Sequence, residues 1–264
     1  MLSSFTAFRS AIVAAALLFP ACGAIAKDKE DVRVRIGLGA QARPDFLGSD
    51  RTEWAPLWDV AIARGSAPFK FEAPDDSFDI KLYAKHGFAF GPVANIASGR
   101  KRSDAGARVD KLGTTIELGM FAQYQLTDSI RLRSELRQGI GGHQGLVASL
   151  GADQVWRDGD RYVLSIGPRV LVSDGRYQRA WFGVDDSSAA TSGLPQYRPS
   201  GGVHAIGLTS GGSFQLSARW GLFGFGRFDR LVSDAAKSPI VRELGSKNQF
   251  SAGGGLTYAF TIKR

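Results

Sequence analysis

Between residues 114 and 140 the chain alternates twice without a break, and no other stretch constrains the fold as strongly. Ile116, Leu118, Met120, Ala122, Tyr124 and Leu126 share one parity, and Glu117, Gly119, Phe121, Gln123 and Gln125 share the other. After Thr127, Asp128 and Ser129 the pattern resumes, with Ile130, Leu132, Ser134 and Leu136 set against Arg131, Arg133, Glu135 and Arg137. Period two belongs to strands, whereas a helix brings residues three and four apart onto one side. Keeping both apolar rows on one face sets Leu126 opposite Ile130, Gln125 near Arg131 and Phe121 near Glu135, because a one-residue slip would mix the rows. The product is a hairpin of strands about ten residues long, greasy on one face and charged on the other. Tilted strands of that length cross a bilayer core, so Leu118, Met120, Leu132 and Leu136 are expected to face lipid.

The same alternation recurs along the chain. Further strands are expected at 31–41, 54–63, 68–73, 78–84, 87–97, 146–156, 162–172, 203–216, 220–231 and 249–262. The total is about twelve, or about ten if 68–73 does not stand as a separate strand. The turn at Asp158-Gly159-Asp160 carries a strong hairpin signal, flanked by Trp156 and Tyr162 where an interfacial aromatic girdle would sit. Long connections (42–53, 98–112, 173–201, 232–247) alternate with short ones (64–67, 85–86, 127–129, 157–161, 218–219), the asymmetry of outer-membrane barrels. The connection near Pro74, Asp75 and Asp76 is the exception. Faces opposite the apolar rows carry Arg, Glu, Gln and Gly, which suits a wet lumen better than the dry core of a sandwich. In lipid every backbone polar group needs a partner, so an open sheet is expected to be excluded. The expected fold is all-β, a closed antiparallel transmembrane β-barrel.

Residues 1–26 read as a secretory signal peptide: Arg9 is the only charge before Lys27, 11–19 is apolar, and Ala24-Ile25-Ala26 offers a small-x-small cleavage site. Residues 27–264 are then the barrel domain. Cleavage removes Cys22, the chain's one cysteine. Lipidation at Cys22 is the alternative, disfavoured by Phe19 and Pro20 just before it. The formal charge is +8, without a basic cluster on a helix, so no nucleic-acid partner is expected.

Candidate chemistry is sparse. His143 lies in a Gly-rich loop at a strand end, but the His-x-Ser arrangement of outer-membrane phospholipases is absent because Gly145 holds the third position. His86 and His204 stand alone, and no catalytic residue is assigned. Asp75-Asp76 and Asp185-Asp186 could offer oxygen ligands to Ca²⁺, yet neither has EF-hand spacing, and no metal or cofactor is expected. Gly253-Gly254-Gly255 has no helix after it and reads as close packing or curvature rather than a phosphate cradle. The charges expected to face the lumen are Arg33, Arg35, Glu117, Arg131, Arg133, Glu135 and Arg137. They could line an anion-attracting pore or pair internally in a plugged barrel. The second is favoured, because a narrow barrel can be filled by side chains and an inserted loop. The longest connection, 173–201, is the loop whose position inside or outside the lumen matters most.

Several short stretches resemble the MipA/OmpV family of outer-membrane proteins. They are Arg43-Pro44-Asp45-Phe46-Leu47-Gly48-Ser49, Gly91-Pro92 with Gly99-Arg100, and Phe182-Gly183-Val184 followed by Ser192-Gly193-Leu194. Leu231, Asp234-Ala235, Ser238-Pro239-Ile240-Val241 and Tyr258-Ala259-Phe260 follow in order. One departure is the C-terminus, where the family usually ends on an aromatic residue and this chain adds Thr261-Ile262-Lys263-Arg264. The resemblance implies a non-enzymatic protein of the Gram-negative outer membrane, embedded in its lipid. It would be a scaffold linking a lytic murein transglycosylase to a bifunctional penicillin-binding protein in peptidoglycan remodelling. Other members look like adhesins or uptake proteins, so a small pore or adhesin with a basic lumen and functional outward loops is the alternative. With the N-terminus periplasmic, a scaffold's partner surface would be carried by Lys27, Lys29, Lys85, Arg219, Lys263 and Arg264.

Overall fold

A computed structural model describes residues 30–102, 104 and 109–264. The expected signal peptide, Cys22, Lys27 and Lys29 lie outside the described residues. The strands are β1 (Val32–Pro44), β2 (Thr52–Arg64), β3 (Phe78–Asp79), β4 (Tyr83–Lys85), β5 (Phe88–Ala97) and β6 (Thr115–Thr127). They continue with β7 (Ile130–Gly141), β8 (Leu146–Asp158), β9 (Tyr162–Ser173), β10 (Gly202–Gln215), β11 (Trp220–Leu231) and β12 (Asn248–Ile262). Four short helices sit in two of the long connections: α1 (Gly175–Phe182), α2 (Asp186–Ser192), α3 (Ser233–Lys237) and α4 (Pro239–Leu244).

All twelve strands belong to one antiparallel sheet ordered β2-β1-β12-β11-β10-β9-β8-β7-β6-β5-β3, with β4 also on β5. The first and last strands are neighbours: Val34 lies opposite Phe260 and Ala42 opposite Ala252. The sheet curls so that even-numbered residues of most strands form an apolar convex surface. Leu118, Met120, Leu132 and Leu136 are 40–50% exposed there, and Trp58, Leu164, Leu208 and Leu222 on other strands are 44–59% exposed. A water-soluble protein would bury these side chains; a bilayer solvates them. Hydrogen-bonded order ends at β2 on one side and β3 on the other, and no ladder among the described residues joins those ends.

Three expectations change. Gln125 does oppose Arg131 and Phe121 does oppose Glu135, but Thr127 rather than Leu126 faces Ile130, and the register slips at Leu126. The Thr127 hydroxyl explains the tighter turn, accepting from the backbone N–H of Ser129 (3.3 Å) and of Ile130 (3.1 Å). Residues 68–73 are not a wall strand. Pro68 and Pro74 lack N–H donors for a ladder, and Phe69 and Phe71 pack instead on guanidinium groups inside the curl. The strand expected at 78–84 appears as β3 and β4, joined by the single bonds Ile80 N–H to Pro92 O (3.1 Å) and Leu82 N–H to Phe90 O (3.0 Å).

Candidate functional site

The concave side of the sheet holds a continuous charged network, and the segment 65–77 runs through it. Parity builds the network, because Arg131, Arg133, Glu135 and Arg137 on β7 alternate with lipid-facing Leu132 and Leu136 and so point inward. Asp153 on β8 and Arg169 on β9 join them from neighbouring walls. Arg131 grips Asp76 with two nitrogens (2.6 and 3.1 Å) and Asp153 with two more bonds (3.0 and 2.6 Å). Arg169 grips Asp75 in the same bidentate way (2.8 and 3.0 Å) and reaches the other oxygen of Asp153 at 2.7 Å. Asp153 therefore bridges two arginines, each of which also clamps one carboxylate of the inserted segment. Such fork-on-carboxylate pairs are the strong ion pairs, and these are nearly sealed from water.

The rest of the network extends upward and downward. Arg133 bonds Asp79 (2.8 Å) and Glu135 (2.9 Å), and Arg137 bonds Glu117 (2.8 Å) and Glu135. Ser77 donates both its backbone N–H (3.2 Å) and its hydroxyl (2.6 Å) to Glu135. Lower down, the Phe69 ring lies between Arg33 and Arg35, at 5.0 and 5.1 Å from their guanidinium carbons. Asp160, in the β8–β9 turn, accepts from the Phe69 N–H (2.8 Å) and from Arg33 (2.8 Å). Arg35 pairs with Asp59 at 3.0 Å. The cavity left among Asp75, Asp76, Arg131, Arg133 and Arg169 is about 20 Å³, room for about one water. The interior is filled.

The 173–201 connection stays out of this interior and helps cap the mouth. Phe46, Val109, Val147, Tyr177, Trp181, Phe182, Leu231, Ile240 and Val241 form one apolar cluster there with Val184, Leu194, Ala205 and Ala235. Asp174 caps α1 by accepting the Tyr177 N–H at 2.8 Å, and Asp185 caps α2 through the Ser188 N–H at 2.8 Å. Arg100 enters the cluster over the Phe46 ring (5.6 Å) and donates to the Trp181 carbonyl at 2.8 Å. Burial pulls its guanidinium down to about 10, still charged at neutral pH.

Most of the stretches that carried the family resemblance meet at this cap. Gly48 adopts φ +100° and donates to the Gln249 side chain at 2.9 Å, and Ser49 bridges Gly245. Gly99 approaches the Leu112 carbonyl so closely that a Cβ would lie 1.9 Å from it. Gly183 follows α1, and Ser192 and Gly193 end α2, with Gly193 at φ +72°. Ser238 donates to the Phe182 carbonyl (2.7 Å) and caps α4, with Pro239 in the first turn. Arg43 pairs with Glu53 at 2.9 Å beside Pro44, the last residue of β1. Tyr258 and Phe260 lie instead on β12, far from the cap.

The three histidines do other work. His143 is fully enclosed, its Nε2 at 2.9 Å from Glu117 and its ring 4.8 Å from Tyr177. His204 Nδ1 lies 2.9 Å from the Ser173 hydroxyl, a serine–histidine contact that both residues' burial and the Tyr177 ring keep from any substrate. His86 is an exposed turn residue at φ 52°. Asp75 and Asp76 are each consumed by a different arginine, and among the described residues no cluster of three metal-ligating side chains occurs. Lys85, Arg219, Lys263 and Arg264 are exposed at the end opposite the cap. Sequence reasoning passed over Asp153, Arg169, Arg227 and Asp229 in the network, although their odd parity against Leu164, Ile166 and Phe228 marks them as inward-facing.

The family described as MltA-interacting protein MipA matches residues 36–260. No curated protein matches the chain. Among solved structures, the KdgM porin is 10% identical, with 88% of this chain and 98% of that chain covered and a TM-score of 0.37. The NanC porin is 7% identical, with 86% and 98% covered and a TM-score of 0.40. The N-terminal β-barrel domain of Pseudomonas aeruginosa OprF is 9% identical, with 88% and 98% covered and a TM-score of 0.26.

Proposed function

The chain belongs to the MipA family, and on that premise we propose that it is a non-enzymatic scaffold that binds a murein transglycosylase at the periplasmic face of the outer membrane. It is an outer-membrane protein of a Gram-negative cell, with its apolar convex surface against lipid. The observation that carries the proposal is the family match, whose description reads MltA-interacting protein and which covers residues 36–260. The filled interior supports it, because a protein built for free passage would not spend its lumen on interlocked ion pairs. A penicillin-binding protein would be the second member of the complex.

The periplasmic end offers short turns and the tail, with Lys85, Arg219, Lys263 and Arg264 exposed and Lys27 and Lys29 just before the described residues. Scattered exposed cations make a small polar interface, so binding should be transient and weakened by salt. The test is cross-linked co-purification of the transglycosylase from cell envelopes. Lys85→Glu, Arg219→Glu, Lys263→Glu and Arg264→Glu together should cut capture strongly. Lys237→Glu with Arg242→Glu, at the opposite mouth, should leave it unchanged. Capture that survives the first set and fails with the second would reverse the orientation, and no capture by the wild type would reject the scaffold.

A further inference from the structure

The wall has a gap whose shape matches the segment stowed inside it. β2 runs toward the end where Arg64 meets Val32, and β3 and β4 run toward the same end, where Lys85 meets Phe88. The two edges of the sheet therefore point the same way. They cannot pair antiparallel with each other, but a strand running upward between them would be antiparallel to both. Residues 67–77 link these edges in sequence and run upward.

The turn that would start such a strand already exists. The Ala67 N–H donates to the Arg64 carbonyl at 3.2 Å, and Gly65 sits at φ +55°. A two-residue turn with glycine at positive φ in its first central position is a hairpin turn. Continuing its register sets Ile62 opposite Phe69, Val60 opposite Phe71 and Trp58 opposite Ala73. The β2 members of these pairs are outward and 45–59% exposed. The same register sets Lys70 opposite Ala61 and Glu72 opposite Asp59, the inward row that holds Arg35. The alternation of 69–73 is thus in phase with a lipid-facing strand, although Phe69 and Phe71 now lie inside.

We propose that residues 67–77 exchange between two seats, the present one in the lumen and a second between β2 and β3, where they complete a closed barrel of twelve strands with β3 and β4 counted as one. Asp75 on Arg169, Asp76 on Arg131 and Ser77 on Glu135 hold the stowed seat. The move gives both free edges a ladder partner and takes the segment out of the lumen, leaving the wall charges behind. It leaves Asp153 as the one carboxylate that Arg131 and Arg169 share, so a small anion that binds them favours the wall seat by mass action.

Cysteine pairs in a Cys22→Ser background distinguish the seats in lipid vesicles. Pro74→Cys with Gly211→Cys reports the stowed seat, since a Cβ on Gly211 would lie 2.3 Å from the Pro74 ring. Trp58→Cys with Ala73→Cys reports the wall seat. Met120→Cys with Leu136→Cys, directly opposed across β6 and β7, is the lipid-facing control for oxidation efficiency. The stowed product should dominate with native charges, and citrate should raise the wall product. Asp75→Asn with Asp76→Asn should raise the wall-to-stowed ratio at least about tenfold, the effect of a shift of about 1.4 kcal/mol. If those substitutions prevent folding, the citrate arm on native charges decides. The absence of 58–73 product under every condition in which 120–136 forms would overturn the exchange.

Discussion

Replacing Arg131 by Met tests whether the inserted segment is held by the charges that touch it. The Arg131 side chain is 3% exposed, and those of its partners Asp76 and Asp153 are 9% and 2% exposed. Met fills much of the same volume, so the cost is mainly that of stranding carboxylates. Breaking a buried pair by removing one partner costs about 3–5 kcal/mol. The lower end applies here, because Asp153 keeps Arg169 at 2.7 Å and Asp76 keeps the Ala73 N–H at 2.9 Å. Loss of the Phe71 contact, 4.7 Å from the Arg131 guanidinium carbon, adds about 1 kcal/mol for a cation–π pair whose ring is only half-buried. The expected destabilisation is about 4 kcal/mol. Adding Asp76→Asn should give back about 1–3 kcal/mol of it, since the two residues share one bidentate contact. Urea unfolding in lipid vesicles, read by the gel shift between unboiled and boiled samples, measures both quantities. A single-substitution cost below about 1 kcal/mol, or additivity within about 0.5 kcal/mol, would refute the assignment of Arg131 as the central clamp.

Leu136→Arg should cost about 2–4 kcal/mol if it lies near the bilayer midplane, because that side chain is 50% exposed on the convex face; tolerance equal to that of Lys237→Arg would show that this face meets water. The mouth cap should loosen in acid. The Ser188 N–H holds the Asp185 carboxyl below its usual range, and the Ser200 N–H does the same for Asp234. A depressed carboxylate contributes its stability above its unfolded pKa and loses it as pH falls through the folded value. Hydrogen exchange of α2 and α3 should therefore be constant near neutrality and accelerate, relative to the β6–β7 hairpin, only below the ordinary carboxylate range. Acceleration between pH 6 and 8 would point to a different group.

The central hairpin was legible because each of its residues obeys one rule, and that rule fixes both facing and register to within the Thr127 turn. Residues 68–73 misled for the same reason. Phe69, Lys70, Phe71 and Glu72 alternate as a wall strand would, and nothing local reveals that Arg33, Arg35 and Arg131 offer their aromatic rings a seat inside. The arginines were legible as inward charges, but their partners were not. Asp75 and Asp76 lie 94 and 55 residues from Arg169 and Arg131, and period-two reasoning says nothing about contacts across a lumen. The helices α1 to α4 escaped because each is eight residues or shorter and is stabilised by packing on a shared cluster rather than by its own periodicity.

The mouth cluster also bears on how the chain reaches its final state. Phe46 follows the first strand and Ile240 precedes the last, yet both are buried in one core with Val109 and Trp181 from between. Contacts so distant in sequence form late and slowly. No partial barrel, whichever end is inserted first, can assemble that core, because some wall of it is always missing. In a chain inserted only as far as β5, Arg100 would be an apolar-flanked cation without the Trp181 carbonyl to receive it. The cap thus acts as a completion signal: it becomes stable only when the whole chain is in place, and an incomplete chain keeps a loose, protease-sensitive mouth.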